Sequence, residues 1–302
     1  MLTRPDQEIG TVLRGTVDVP SLPIVIQRLL ALPESGADLR DFVELVAADQ
    51  GLASRVLRLV NSAFYSLRTP LGSLPHAASI LGVKTLRSMA LGISVMDIFR
   101  GSCEGFDPTR FWRHAIAVAS CSRAVASRVL DDGAEEPMYV AGLLHDIGVV
   151  LLAQYAPRDY PLALRLACDE HRQLAAVEKQ LFGMDHCEVG SSLATRWRFP
   201  AEIGLAIRSH EEAYSGAADG ETDKRMCDVV RFAELWASRA GHWFLALPED
   251  DSASSLDAPP WFAEVDPDWD QALAEAEHQL ERALPLCEPD ESESVITETR
   301  AG

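Results

Sequence analysis

The sequence predicts an all-α fold, a multi-helix bundle in which an N-terminal helical part is followed by a larger helical part. Three observations carry that prediction. Apolar residues recur three and four positions apart in nearly every segment, the alternation of a half-buried strand is missing, and Pro or Gly breaks the pattern at helix-length intervals. No segment repeats at a solenoid period.

Taken in order, the first helix opens at Ser21-Leu22-Pro23, with Ser21 the expected N-cap, and runs through Ile24, Ile26, Leu29 and Leu30. A second follows Asp38. Leu52, Val56, Leu57 and Val60 define a third over 50–64, and Pro70 and Gly72 end it. Residues 73–81 and 83–99 give two more, the latter with Leu86, Met89, Ile93 and Met96 on one stripe. Gly, Ser and acids make 101–108 a joint. Helical patterns then occupy 109–130, 136–155, 159–170, 172–182, 186–197, 200–212 and 223–240, with a loop at 216–220. Residues 249–260 read as an acidic linker, 268–284 as one further helix, and 285–302 as disordered. The expected parts are therefore 1–103, 104–245 and 246–302.

A chain of 302 residues, 47% hydrophobic, has ample core. Its apolar runs stop short of 18 residues and its first ten residues carry acids and no hydrophobic region, so a cytoplasmic protein with no membrane partner is expected. The six cysteines are scattered without Cys-x-x-Cys spacing and read as reduced core thiols. The formal net charge of −19 disfavours nucleic acid as a partner. That charge is uneven: residues 246–302 hold 16 acids against 2 arginines, whereas residues 51–130 hold 10 basic residues against 3 acids. The basic stretch is either a set of solvated helix faces or a receiver for an acidic partner, a nucleotide effector or the chain's own tail.

His145 and Asp146 lie inside the apolar run Gly142-Leu143-Leu144-His145-Asp146-Ile147-Gly148. A carboxylate flanked by Leu144, Ile147, Val149 and Val150 is costly to bury unless a cation or hydrogen-bond donors compensate it. His114, His186 and His210 sit on neighbouring helical segments that can deliver further ligands. A purely structural pair is the alternative, with His145 bonded to a nearby carbonyl. Adjacent helix positions point about 100° apart, so a shared metal needs side chains from several helices. His76, His171, His242 and His278 lack such context.

Two separated sets of residues read together. Upstream stand Leu22-Pro23, Asp49-Gln50-Gly51-Leu52, Asn61-Ser62-Ala63-Phe64-Tyr65 and Ala77-Ala78-Ser79-Ile80-Leu81-Gly82. Downstream stand Phe111-Trp112-Arg113-His114, the His145-Asp146 segment, Asp185-His186-Cys187-Glu188-Val189-Gly190 and Trp197-Arg198-Phe199-Pro200. Over roughly 19–212 the chain resembles the HDOD family, all-helical relatives of the HD-domain metal phosphohydrolases. Asn61 and Ser62 also suit a helix end on physical grounds, and Phe64 and Tyr65 suit packing.

The resemblance implies an HD-like second part and a divalent metal such as Fe, Mn or Zn. It places His114 at the first ligand position, His145 and Asp146 at the defining pair, and His186 and His210 at additional histidine positions. The last aspartate position falls on Glu234, whose extra methylene displaces the oxygen. Catalytic features of active relatives are missing: Val149 replaces a lysine, Ser209-His210 replaces a His-His pair, and residues 211–216 contain no Gly-Tyr-Pro. No residue is therefore assigned a catalytic role. The expected function is a noncatalytic signalling module acting through a protein partner, with a structural or ligand-sensing metal centre. The alternative is a metal-dependent phosphohydrolase acting on a nucleotide or cyclic dinucleotide.

Overall fold

The computed structural model describes residues 23–32, 39–61, 69–98, 104–131, 133–211, 221–245, 259, 261–262 and 269–283. Among them are fourteen α-helices and no strand. The N-terminal part comprises α1 (Ile24–Ala31), α2 (Leu39–Ala47), α3 (Gln50–Asn61), α4 (Leu74–Leu81) and α5 (Val83–Ile98). Then come α6 (Pro108–Val129), α7 (Glu135–Leu144), α8 (Ile147–Tyr155), α9 (Tyr160–Asp169) and α10 (Leu174–Phe182). The remainder are α11 (His186–Arg196), α12 (Ala201–Ser209), α13 (Glu221–Arg239) and α14 (Trp269–Ala283).

Two expectations change. Pro23, not Ser21, occupies the N-cap of α1, because its extended backbone turns the chain into the helix, and Ser21 lies outside the described residues. The run expected as one helix over 136–155 is two, broken at His145-Asp146, where Asp146 has φ −98° and ψ 14° and its carbonyl accepts from Val149 N at 2.9 Å. The residues expected as a loop at 216–220, most of the 249–260 linker, the 285–302 tail and Phe64-Tyr65 also lie outside the description.

Helix α6 is the hub, packed by α7, α13 and α14, and most of its length is buried. Asp107 starts it by accepting from Thr109 N and Arg110 N, with Pro108 in the first turn where its missing N–H costs nothing. Gly142 lets α7 cross α6 closely, since a Cβ there would lie 2.8 Å from the Ala119 Cα. The N-terminal part joins through α5 against α7. Asn61 ties the end of α3 to Leu71 by two bonds, Nδ2 to the Leu71 carbonyl at 2.8 Å and Leu71 N to Oδ1 at 2.6 Å. The apolar run Glu135–Tyr155 has the composition of a membrane span, but 89% of its most apolar window is buried inside the bundle, so here it is core.

At the other end α14 lies along α6 with Ala272, Ala276 and Leu280 buried. Arg128 of α6 meets Glu275 of α14 at 2.9 Å, and Arg123 meets Glu136 at 3.2 Å, so two arginines of the basic stretch face acids. Phe262 stacks on Trp269 at 4.7 Å and tilts against Phe232 at 5.2 Å, which ties the first residue of α14 to α13.

Candidate metal centre

Five elements converge on one buried point. His114 projects from the middle of α6, His145 and Asp146 from the α7–α8 break, His186 from the first position of α11, His210 from the end of α12 and Glu234 from α13. All six are buried. The break solves the adjacency problem, because leaving helical geometry lets neighbouring side chains turn toward the same centre. Glycine supplies the remaining closeness: a Cβ on Gly148 would lie 2.0 Å from the His186 carbonyl oxygen, and Gly190 N would be 2.9 Å away. Only bare backbone lets α11 bring His186 so near Asp146. Asp185 fixes the start of α11 through a reciprocal capping box with Glu188.

The cluster has two sides that share Asp146. On one, Glu234 Oε2 lies 3.1 Å from His114 Nε2 and 2.9 Å from His145 Nε2, and Asp146 Oδ2 lies 3.3 Å from His145 Nε2 and 3.7 Å from His114 Nε2. On the other, Asp146 Oδ1 lies 3.1 Å from His210 Nε2 and 3.3 Å from His186 Nε2, and Glu211 Oε1 stands 3.6 Å from His186 Nε2. Glu234 therefore reaches the centre despite its longer side chain.

Every imidazole is held from behind. Nδ1 of His114 donates to the His242 carbonyl at 3.1 Å, that of His145 to Gly142 at 2.7 Å and that of His210 to Ile207 at 2.9 Å. His186 Nδ1 donates to Glu178 Oε2 at 2.6 Å. Carbonyl and carboxylate acceptors fix the proton on Nδ1 and leave Nε2 as the inward atom. Yet the Nε2 atoms face each other in pairs, 3.3 Å apart for His114 and His145 and 3.4 Å for His186 and His210. Two lone pairs at that distance need a proton or a cation between them.

Charge in the cluster follows the same geometry. Burial opposes the Asp146 carboxylate, but the imidazoles of His145, His210 and His186 overcome it and hold its pKa well below the usual range. Glu234 is likewise lowered against burial, by His114 and His145. Burial also disfavours protonated His145, yet Asp146 and Glu234 raise it to about 9. Glu211 moves the other way, raised by burial although His186 and His210 pull against it.

A divalent cation fits this donor set. Metal bonds of about 2.1 Å put neighbouring donors about 3.0–3.4 Å apart, close to the separations here. Glu234 Oε2 is the more telling atom: it lies within 3.1 Å of two imidazoles but aligns with neither as a hydrogen bond, and stays a buried oxygen without a donor. Glu178, Glu211 and the His242 carbonyl are additions that the sequence reading missed. Glu178 had a signal, an acid on the apolar face of α10 beside Leu174, Val177 and Phe182. Among the other histidines, His76, His171 and His278 are exposed.

An all-helical bundle with histidines and carboxylates converging where α7 breaks defines an HD-type helical domain. The HDOD domain pattern matches residues 19–213, and the chain belongs to that family. An HDOD domain protein of unknown function from Geobacter sulfurreducens has the same fold, with TM-score 0.79, 24% identity, and coverage of 93% of this chain and 97% of that one. A Shewanella amazonensis protein provisionally named a phosphohydrolase gives 0.73 at 24% identity, covering 94% and 99%. A Marinobacter aquaeolei protein provisionally named for signal transduction gives 0.69 at 23%, covering 94% and 64%. An uncharacterized protein of Treponema pallidum (strain Nichols) is 24% identical over 221 residues, 72% of this chain but 42% of the relative's length.

Proposed function

We propose that this chain is a regulatory HDOD module with a divalent metal centre at its core, acting in the cytoplasm through a signalling protein partner. The facing Nε2 pairs carry the metal part, because their Nδ1 protons are already committed. Imidazole with carboxylate suits iron, manganese or zinc. When bound, such an ion lowers the pKa of a coordinated water and neutralises charge on a phosphoryl oxygen.

Among the described residues, two positions that could serve a phosphoester do not. Val149, at the position where active relatives carry lysine, is fully buried in α8. Arg231 donates from Nη1 to the His210 carbonyl at 2.9 Å. Glu178 and Glu211 place two further carboxyl groups beside the ligands. These features favour regulation over turnover. A second reading, hydrolysis of a nucleotide or cyclic dinucleotide, draws on Asp146, whose two oxygens face separate imidazole pairs, a donor set that would hold metal for phosphoester chemistry.

Elemental analysis of protein purified without chelator, a phosphoester panel and affinity capture from lysate test both. Bound metal, no turnover and one recurrent partner are expected. Metal with turnover that disappears in Asp146→Ala would favour the hydrolase, and repeated capture without a specific partner would overturn the regulatory reading.

A further inference from the structure

The chain leaving α13 turns back over the His114 side of the cluster. The His242 carbonyl accepts from His114 Nδ1, the Trp243 ring meets the His114 ring edge-on at 4.9 Å, and Phe244 lies 5.5 Å from it. Phe244 is itself wedged against Phe111 at 5.4 Å. The His242 ring faces the other way, with Nε2 3.2 Å from Glu277 Oε2 of α14 and its ring against Trp236. So one short segment touches a candidate ligand on one face and the last described helix on the other.

The other imidazoles are held differently. His145 and His210 donate to carbonyls three residues back, and His186 to Glu178 on the preceding helix. His114 alone among the four takes its acceptor from a segment 128 residues away, beyond the family match. A nearby carbonyl is fixed by its own helix turn, whereas a distant one is only as fixed as the contacts that seat it.

We propose that residues 242–245 are a strap, held by α14 through Glu277, that orients His114 and sets the cation affinity of the His114–His145–Glu234 side without setting that of the His186–His210 side. The proposal rests on the metal reading above. Trp243 covers the ring, His242 fixes its Nδ1 proton, and Glu277 anchors the strap to α14.

The test titrates metal-free full-length protein with Mn2+ or Zn2+ alone and counts bound equivalents, with His114→Ala identifying the equivalent on its side. Trp243→Ala should weaken that equivalent about ten-fold or more, the scale of lost outer-shell support, and leave the other within about two-fold. Glu277→Ala, which alters a partly exposed side chain and leaves the core intact, should weaken the same equivalent several-fold and speed hydrogen exchange at amides 243–245 in metal-free protein. Glu277→Gln keeps an acceptor for the imidazole and should stay near wild type. Unchanged affinity and exchange in Glu277→Ala, or equal weakening of both sides, would overturn the strap while leaving the metal reading intact. Wild-type protein that binds no ion would overturn both, and if Trp243→Ala fails to fold, Glu277→Ala decides.

Discussion

Glu178 has no exposed surface and accepts three hydrogen bonds, from Tyr160 Oη at 2.6 Å, His186 N at 2.8 Å and His186 Nδ1 at 2.6 Å. Removing its carboxylate strands all three donors, each at about 1–3 kcal/mol. Glu178→Ala should therefore cost about 3 kcal/mol or more, read as a lower urea midpoint, and Tyr160→Phe about 1–3 kcal/mol. Similar losses in the two variants would contradict the shared role. His145 gives a pH signature. Its folded pKa of about 9 lies above the unfolded imidazole value, so its contribution in metal-free protein is full below about pH 6.5 and lost as pH rises through about 9. Metal-free protein should lose stability across that window, and bound metal, which replaces the proton, should suppress the loss. Equal pH profiles with and without metal would contradict this. His145 and Asp146 were legible because two strong ligand types sat in apolar surroundings, and His114 through the family resemblance. Glu211 had no pattern of its own, and the His242 carbonyl is backbone, which leaves no trace in residue type.

At the scale of elements, the α7–α8 break and the Gly148 crossing position the centre. Apolar residues run from Met138 to Leu152 on both sides of His145-Asp146, so the sequence predicts one helix there. Nothing in His145-Asp146 breaks a helix by propensity strongly enough to reveal the turn, which accompanies packing against α6, α11 and α12. Several other borders were legible because Pro70, Gly72, the joint at 101–108 and Pro200 mark them locally. Gly148→Ala tests the crossing. With a Cβ 2.0 Å from the His186 carbonyl oxygen, α8 and α11 must separate, and a loss of about 3 kcal/mol or more is expected, beside a lower metal content. Gly183→Ala is a control that meets no neighbouring atom but has φ 79°; it should cost about 1 kcal/mol and leave metal content unchanged. Equal metal loss in both would remove the link between the crossing and the site.

Across the whole molecule, the bundle gathers ligands from helices between α6 and α13 around one buried point. The family match ends at residue 213, so Glu234, the strap and α14 lie beyond it. The acidity of residues 246–302 was visible in composition, but that Glu275 and Glu277 would reach Arg128 and His242 was not, because such pairs depend on where α14 docks. The central claim is that the four inward Nε2 atoms and their carboxylates hold metal. Elemental analysis of chelator-free wild type beside His145→Ala and Asp146→Ala tests it most directly. Stoichiometric iron, manganese or zinc in the wild type, lost in both variants while helical content is kept, is the predicted result. A folded wild-type protein that carries no metal and takes up none on dialysis against these ions would contradict it.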